Sequence, residues 1–389
     1  MPSDRPIQSE QPEAVVTGRR RFSIGLPESV SGGESRFPLT PEAVQELVER
    51  GFTVKMERGA ARSIHYPDGR YESCGAEIVE RPEALGCDIV IHLAPLPPAD
   101  VELLRRGAMT LTFLRGKKYT PAAVKALLQR SVISVALDCV KDKSGHHPFA
   151  DIMAEVDGRA AVSAASAMLA DAGSGKGILL GGITGIVPCE VAIFGSGLAA
   201  IAAARSAIGL GAQVRLFDDD VYSLRDALRQ LGSSAVGSAL HRHVVEGALR
   251  TADIVIATAM ERTYPIGREL VGTMKRGVLV FDLGDNPGDA FPSLPVADLG
   301  LRPRQPDERR YCYTNAGCAV PRTSAMALSN TLMAMLGEIL TSDGVTNALK
   351  LSQGLQAGVL TFLGRPVNAG LARLVGMRPL DLALFIQMS

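Results

Sequence analysis

The sequence has no tryptophan, no net charge and no long uninterrupted apolar run. Its 389 residues include 41 lysines and arginines and 41 aspartates and glutamates, with no long block of one sign. This balance gives no indication of a nucleic-acid or anionic-membrane partner. Because neither an apolar signal core nor a run of about 18 apolar residues occurs, we predict a soluble cytoplasmic protein without a membrane segment.

Cysteine and histidine are also scarce, and neither shows the spacing of a metal site. The six cysteines are scattered without a CxxC pair, which predicts reduced residues that pack in the interior. The two close histidine pairs, His146-His147 and His241-x-His243, have no third ligand nearby. We therefore assign no metal ion to this chain.

Glycine and apolar residues are plentiful, and their arrangement predicts the fold class. The chain has 40 glycines and a hydrophobic fraction of 46%, which is typical of an α/β enzyme with many tight turns. Its length exceeds that of one ordinary core and predicts two domains. Strand-like segments alternate with helical ones, which predicts parallel sheets covered by helices on both faces. Residues 1–20 are polar and are predicted to form a disordered tail.

A glycine-rich turn between two apolar strands is the most specific motif. The segment Val191-Ala-Ile-Phe-Gly-Ser-Gly-Leu-Ala-Ala200 leads from a buried strand into a helix of small residues. Gly195 permits the tight turn, Gly197 lets the backbone approach a pyrophosphate, and Ala200 allows close packing of helix and strand. The N–H groups at the helix start favour the anionic diphosphate. Asp218 ends the next strand, where a carboxylate accepts both ribose hydroxyls and repels a 2′-phosphate, so the predicted cofactor is NAD.

Five further segments, in order along the chain, resemble the alanine dehydrogenase / proton-translocating transhydrogenase α-subunit family. They are residues 24–28 with 34–41, 75–79, 153–159, 177–188, and 315–324 with 327–330. The resemblance implies two Rossmann-like, doubly wound parallel-sheet domains with a cleft between them. It also implies hydride transfer between NAD(H) and a 2-amino/2-oxo acid pair, and a homo-oligomer that is a dimer or a hexamer.

This framework divides the chain and its site residues between two domains. We expect a substrate domain formed by residues 21–155 and 325–389, and an NAD-binding domain formed by residues 156–324. The residues assigned to the cofactor are Gly195, Gly197, Leu198, Ala200, Asp218, Ala259 and Asn315.

The resemblance also carries substrate residues onto this sequence, with two departures. Arg36 matches the family's carboxylate-binding arginine, and a guanidinium holds a carboxylate through two hydrogen bonds. Asp285, at the end of a strand, aligns with the active-site aspartate. However, Ala94 occupies the position of the catalytic lysine and Arg115 that of the catalytic histidine. Arginine stays protonated and cannot act as a general base near neutral pH.

His92 and Arg115 are the candidate replacements. His92 lies two residues before Ala94 on a predicted strand, so both side chains leave the same face and His92 can supply an acid/base. The alternative for His92 is a histidine packed at the sheet edge. Arg115 can hold a second carboxylate of a larger substrate.

The cofactor motif is retained, whereas Ala94 and Arg115 replace the catalytic lysine and histidine of the family, and this combination leads to a functional hypothesis. We predict an NAD(H)-dependent oxidoreductase acting on a C–N centre in an imine, imino acid or 2-oxo/2-amino acid other than alanine. Three alternatives stay open. They are an alanine dehydrogenase with unusual side chains, a redox-neutral enzyme that uses bound NAD as cyclodeaminases and lyases do, and an NAD-binding protein without turnover.

Overall fold

The computed structural model describes residues 22–30, 33–114, 118–301, 310–341 and 345–388. The predicted tail over residues 1–20 and the candidate Arg115 both lie outside these ranges.

The first part of the chain alternates strands and helices up to a long helix. Its elements are β1 (Ser23–Leu26), α1 (Pro41–Glu49), β2 (Thr53–Glu57), α2 (Asp68–Ser73), β3 (Glu77–Val79), α3 (Arg81–Leu85), β4 (Ile89–Ile91), α4 (Pro98–Leu103), β5 (Met109–Thr112), α5 (Pro121–Gln129), β6 (Ile133–Ala136) and α6 (Pro148–Ala170). Local signals define several of these boundaries. At α1, for example, the Thr40 side chain accepts a hydrogen bond from the backbone N–H of Ala43, and Pro41 occupies the first turn.

The middle of the chain repeats this alternation. Its elements are β7 (Glu190–Phe194), α7 (Leu198–Gly209), β8 (Gln213–Phe217), α8 (Val221–Leu231), β9 (Ala235–Ser238), α9 (Arg242–Thr251), β10 (Ile254–Thr258), α10 (Arg268–Thr273), β11 (Leu279–Leu283), β12 (Val296–Asp298) and β13 (Cys312–Thr314). The last part contains α11 (Pro321–Thr341), α12 (Val345–Leu351), α13 (Gln353–Ala357), β14 (Val359–Phe362), β15 (Arg365–Pro366), α14 (Ala369–Leu374) and α15 (Leu382–Met388).

The strands form two sheets, each with the order of a doubly wound fold. The first sheet runs β15-β14-β6-β5-β4-β1-β2-β3, and the second runs β12-β13-β11-β10-β7-β8-β9. In each sheet the order reverses beside the first strand, between β1 and β4 and between β7 and β10. These reversals create the crevices where such sheets bind ligands. The predicted class, two Rossmann-like α/β units, is confirmed.

One edge of the first sheet differs from the prediction of parallel sheets. β14 pairs antiparallel with β6, and β15 pairs antiparallel with β14. All described strands of the second sheet pair in parallel. Strands β14 and β15 are short. Thr361 of β14 bonds to the backbone of Ser134 in β6 and of Val132 just before it, which lie more than 200 residues earlier in the sequence. Sequence periodicity carries no signal for such a distant pairing.

Helices α6 and α11 connect the two halves of the structure. On α6, Phe149 and Val156 pack in the core under the first sheet, whereas Ala161 and Ala165 pack in the core under the second. On α11, Leu328 returns to the first core. The predicted boundaries at 155/156 and 324/325 stay a prediction.

Helix α6 lies close against α7 because Gly158 lacks a side chain. A Cβ atom at Gly158 would come within 2.2 Å of the carbonyl oxygen of Ala199. Small residues on both helices thus allow α7, the helix that follows the glycine motif, to pack directly against α6.

The structure also bears on several expectations from composition. None of the six cysteines, all of which lie in the described ranges, forms a disulfide. Within the described part of the chain, no helix combines the length and the apolar character needed to cross a membrane.

Candidate functional site

Residues that follow strands of both sheets line a single cleft of about 660 Å³. From the first sheet come Phe113 and Asp138, which follow β5 and β6. From the second come Ala259, Asp285 and Asn315, which follow β10, β11 and β13. The carboxyl ends of parallel strands from the two sheets therefore meet at one site, as ligand binding in this fold requires.

The glycine fingerprint has the geometry that a bound diphosphate needs. Gly195 has φ +108°, and a Cβ atom there would lie 2.1 Å from Oγ1 of Thr258. Gly197 precedes the first turn of α7, and a Cβ atom built on it has no other atom within 4 Å. Gly195 is therefore required by the turn itself, whereas Gly197 leaves open space beside the N–H groups of the helix start. Ala200 is completely buried, as close helix packing predicts.

Asp218 is held in place by its neighbours at the end of β8. Its Oδ2 accepts a hydrogen bond of 2.7 Å from the hydroxyl of Ser196, and its Oδ1 accepts one of 3.0 Å from the backbone N–H of Asp220. The carboxylate is thus oriented by the glycine turn and by the start of α8. Ser196 occupies the variable position of the glycine motif, so sequence reasoning did not assign it a role.

The remaining cofactor candidates lie on the same wall, but Asn315 has an additional task. Leu198 and Ala259 line the cleft. Asn315 also lines it, yet its side-chain amide donates to the carbonyl oxygen of Gly33 at 2.8 Å and to Asp298 at 3.0 Å. The Asn315 side chain therefore ties a loop of the first unit to the second.

Two aspartates at the end of β11 have different environments. Asp285 is exposed and lines the cleft. Asp282 is buried and accepts hydrogen bonds from the N–H groups of Gly284, Gly288 and Ala290. Burial raises the pKa of Asp282, although these three hydrogen bonds oppose the shift. Asp282 thus shapes the loop that presents Asp285, a role that sequence reasoning missed because an aspartate at a strand end does not reveal its partners.

Arg36 faces the cleft, but it already holds a carboxylate of its own chain. Its Nε and Nη2 donate to the two oxygens of Glu34 at 2.7 and 2.6 Å. Burial by itself lowers the pKa of Arg36, but the surrounding acidic groups, Glu34 first and then Cys318 and Asp157, together outweigh this effect and hold that pKa well above its usual value. Nη1 donates to a weak acceptor, the sulfur of Met153, at 3.7 Å. The end formed by Nη1 and Nη2 is therefore the part of Arg36 suited to a second carboxylate.

The loop that carries Arg36 is fastened to the segment after β13. The Ser35 hydroxyl donates to the carbonyl oxygen of Cys318 at 2.6 Å, and the Cys318 sulfur lies 3.3 Å from Glu34. Together with the bond from Asn315 to Gly33, these contacts couple the position of Arg36 to the cofactor-side wall.

His92 lies outside the main cleft. Strand β4 ends at Ile91, so the expectation that His92 and Ala94 share one face of a strand is wrong. Both residues instead line a smaller cavity beside Arg36. Burial lowers the pKa of His92 to about 4, although a hydrogen bond between Nδ1 and the carbonyl oxygen of Ala94 opposes the shift. The imidazole is therefore neutral near pH 7, and its acid/base role stays a prediction.

The described residues on either side of positions 115–117 make hydrogen bonds to the first unit. The N–H of Leu114 donates to both oxygens of Asp138, and the Tyr119 hydroxyl donates to the carbonyl oxygen of Phe113 at 3.0 Å. Burial raises the pKa of Tyr119, which keeps its hydroxyl protonated. Lys118 lines the cleft. Arg115 itself is outside the described residues, so its predicted role remains a prediction.

Comparison with protein families covers nearly the whole described chain. The model of the alanine dehydrogenase/PNT N-terminal domain matches residues 25–157, and that of the C-terminal domain matches residues 161–369. The chain belongs to the alanine dehydrogenase/PNT family. NAD is its cofactor, and its activity class is that of an NAD-dependent oxidoreductase.

Individual family members are similar over almost their full length. The alanine dehydrogenase of Mycobacterium tuberculosis (strain CDC 1551 / Oshkosh) is 30% identical over 372 residues, which cover 91% of this chain and 97% of the relative. That of Staphylococcus haemolyticus (strain JCSC1435) is 28% identical over 367 residues, covering 92% and 97%.

Solved structures agree with this family assignment. An L-alanine dehydrogenase superimposes with a TM-score of 0.80 at 26% identity, covering 91% of this chain and 99% of that one. A transhydrogenase from Sinorhizobium meliloti, at 22% identity, superimposes with a TM-score of 0.71 over 90% and 99% of the two chains and shows the shared fold alone.

Proposed function

We propose that this family member transfers hydride between NAD(H) and a C–N centre of a carboxylate substrate other than simple alanine. The substrate class is an imine, an imino acid or a 2-oxo/2-amino acid. The observation that carries the proposal is Ala94, which lines the cavity beside Arg36 at the position where the family resemblance places a lysine. An alanine methyl group can neither bind a carboxylate nor transfer a proton, so a substrate that needs this lysine is disfavoured.

We assign the cofactor to one wall of the cleft and the substrate carboxylate to the other. Gly197, Leu198 and Ala259 form the cofactor wall of the cleft, where we expect them to contact the diphosphate and nicotinamide. NAD bound there would accept or donate the hydride. On the other wall, Arg36 binds the substrate carboxylate through its Nη1 and Nη2 end. Asp285 is the exposed carboxylate of the cleft and interacts with the cationic nitrogen of an imine or amine.

Imines suit this site because they need less proton transfer than ketones do. An imine formed without the enzyme, such as a cyclic imino acid, already carries the nitrogen and requires no attack by ammonia. His92, whose pKa is about 4, is mostly unprotonated near pH 7 and is a poor general acid there. Without the lysine, we expect an imine to be reduced faster than a 2-oxo acid with ammonia.

The test is NADH oxidation, followed at 340 nm, with a panel of cyclic imines and of 2-oxo acids with ammonia or amines. We expect turnover with at least one cyclic imine or larger oxo acid, and loss of that turnover in Arg36→Lys, since lysine cannot reproduce the planar fork. Arg50→Lys, at the exposed C-cap of α1, is the matched control. Absence of NADH oxidation with every member of the panel refutes the proposal.

A second candidate is alanine dehydrogenase itself. The observation that favours it is 30% identity to an alanine dehydrogenase over 91% of the chain. Pyruvate with ammonia decides between the candidates. A kcat/KM for this pair above that of every other substrate supports alanine dehydrogenase, and a lower value supports the first proposal.

We also propose that the chain forms a homo-oligomer, a dimer or a hexamer, through an exposed apolar hairpin over residues 178–187. An antiparallel bridge joins Ile183 and Ile186, and Leu179, Ile186 and Val187 are 69%, 63% and 84% exposed. Contiguous exposed apolar residues of this kind mark protein interfaces. Light scattering tests the proposal, since Val187→Asp is expected to lower the mass. A monomeric wild type, or an unchanged mass in the variant, contradicts it.

A further inference from the structure

A second, smaller cavity of about 80 Å³ lies beside Arg36, away from the cofactor wall. Glu34, Arg36 and Pro95 line both this cavity and the main cleft, so the two spaces are adjacent. A water molecule occupies roughly 10–15 Å³ by the same measure, so the cavity has room for a short side chain rather than for a single water.

Two polar atoms at this cavity are buried without a hydrogen-bond partner among the described residues. They are Nε2 of His92 and the hydroxyl of Ser29. Both residues line the cavity, and His92 is 8% exposed. Leaving such an atom unpaired in the interior costs free energy, so a ligand that pairs with it is favoured.

The hydrogen bond on the other side of the ring determines what His92 can recognise. Nδ1 lies 2.6 Å from the carbonyl oxygen of Ala94, which can only accept, so Nδ1 carries the proton. In the neutral ring, Nε2 is then an acceptor. Its partner has to be a donor, such as a hydroxyl or an amine.

We propose that the cavity is the side-chain pocket of the substrate and takes a short side chain that ends in a hydrogen-bond donor, a hydroxyl or an amine. This inference rests on the proposed function, because Arg36 has to hold the carboxylate of the same molecule. Nε2 of His92 accepts from the side chain, the Ser29 hydroxyl bonds to the same group, and Ala94 leaves the space that a longer residue would fill.

The charges around the cavity agree with a neutral or cationic side chain. Glu28 and Glu34 line it together with one cation, Arg36. An acidic side chain would meet two carboxylates and the lone pair of Nε2, which repel it. An apolar side chain would leave Nε2 and the Ser29 hydroxyl unpaired.

The first arm of the test uses isosteric substrate pairs at saturating cofactor. For reductive amination the pair is 3-hydroxypyruvate and 2-oxobutanoate, which differ by a hydroxyl in place of a methyl group. For oxidation the set is serine, 2,3-diaminopropanoate and 2-aminobutanoate, which separates a hydroxyl from an amine. An unpaired buried group corresponds to roughly five- to a hundredfold in affinity, so we expect the donor-bearing member to have the higher kcat/KM by that factor.

Variants connect this preference to the two residues. Ser29→Ala and His92→Leu should each bring the ratio of kcat/KM values within a pair towards one, chiefly through the KM of the donor-bearing member. Ser73→Ala, at an exposed hydroxyl on α2, should keep the wild-type ratio. Equal kcat/KM values for the isosteres in the wild type, or a ratio unchanged in Ser29→Ala, would overturn the proposal. If His92→Leu fails to fold, the wild-type ratio and Ser29→Ala still decide.

A second arm separates this inference from the proposed function. With NAD⁺ present, glycerate and 2-hydroxybutanoate are compared by the melting temperature of the full chain, a measurement that needs no turnover. A larger rise with glycerate that disappears in Ser29→Ala supports the pocket even if no oxidoreductase substrate is found. Equal shifts for the two acids refute the pocket while leaving the proposed hydride transfer standing.

Discussion

The ion pair between Glu34 and Arg36 offers a sharp test of how this site is built. The change is Glu34→Gln, which removes one negative charge and keeps the size of the side chain. The Glu34 side chain is 1% exposed and that of Arg36 9% exposed, so the guanidinium would be left buried without its counterion. Its contact with the Phe113 ring, 5.4 Å away, cannot replace a full charge.

Two opposite effects follow from this charge change. Removing one partner of a buried ion pair destabilises a protein by about 3–5 kcal/mol, and glutamine retains one acceptor, so we expect about 3 kcal/mol. For a folding unit of roughly 150–250 residues this corresponds to a melting temperature lower by roughly 6–12 °C. Substrate binding should improve, because an incoming carboxylate becomes the counterion of Arg36. A charge-assisted hydrogen bond contributes about 1.5 kcal/mol or more, so the KM for an oxo acid should fall about tenfold.

The assay combines thermal unfolding with steady-state kinetics. Glu46→Gln is the matched control, since Glu46 pairs with Arg50 on an exposed helix face where both side chains are more than 40% exposed. An exposed pair of this kind contributes less than about 1 kcal/mol, and neither quantity should change measurably. The reasoning is refuted if the Glu34→Gln variant has the same melting temperature as the control, or if its KM is unchanged or higher. Either result would show that Glu34 does not compete with the substrate carboxylate for Arg36.

Other predictions concern the cofactor wall, the reacting centre and pH. Gly195→Ala should lose NADH binding in a fluorescence titration, because φ +108° and the contact with Thr258 cost at least about 1–3 kcal/mol; normal affinity would contradict the turn geometry. Asp218→Ala should weaken NAD⁺ about tenfold or more and NADP⁺ much less, and an equal loss for both would exclude Asp218 as the ribose acceptor. Asp285→Asn should lower kcat by roughly 10²–10³ with unchanged NADH affinity, because it removes the charge that faces the cationic nitrogen, whereas a kcat within twofold of wild type would remove Asp285 from the reaction. The folded pKa of His92, about 4, lies below its unfolded value near 6.5, so the unfolded chain binds more protons between these pH values and stability falls as the pH drops through this window. Urea unfolding at pH 7 and pH 4 should show wild type losing about 3 kcal/mol more than His92→Gln, and parallel losses would mean that His92 is not buried.

Several elements of the fold were predictable because their signals are local. Helix α5, for example, begins with Thr120 as its N-cap and Pro121 in the first turn. Strand β10 consists of five buried apolar or small residues, as expected for a strand covered on both faces. Such elements depend on residues within a few positions of one another.

The antiparallel strands β14 and β15 and the true end of β4 were not predictable in this way. Thr361 bonds to the backbone of Val132 and Ser134, more than 200 residues earlier. At the end of β4, the apolar run continues past Ile91, but the chain leaves the sheet and the His92 ring turns back to the carbonyl oxygen of Ala94. Apolar character alone does not distinguish a strand from a buried loop.

The sequence by itself determined the shape of the glycine turn at which we predict the cofactor site. Gly195, Gly197 and Ala200 shape this turn over a short stretch, because its geometry follows from residue size and allowed φ angles. The same locality explains why the alternating strands and helices were evident.

Only the tertiary structure decided which side chains pair with one another around the cleft. It paired Arg36 with Glu34, made Asp282 the support of the Asp285 loop, and directed the Asn315 amide to Gly33, 282 residues away. It also placed His92 and Ser29 at one cavity with unpaired polar atoms. The physical reason is that a polar side chain has many partners available in an unfolded chain, and only packing selects the one it meets.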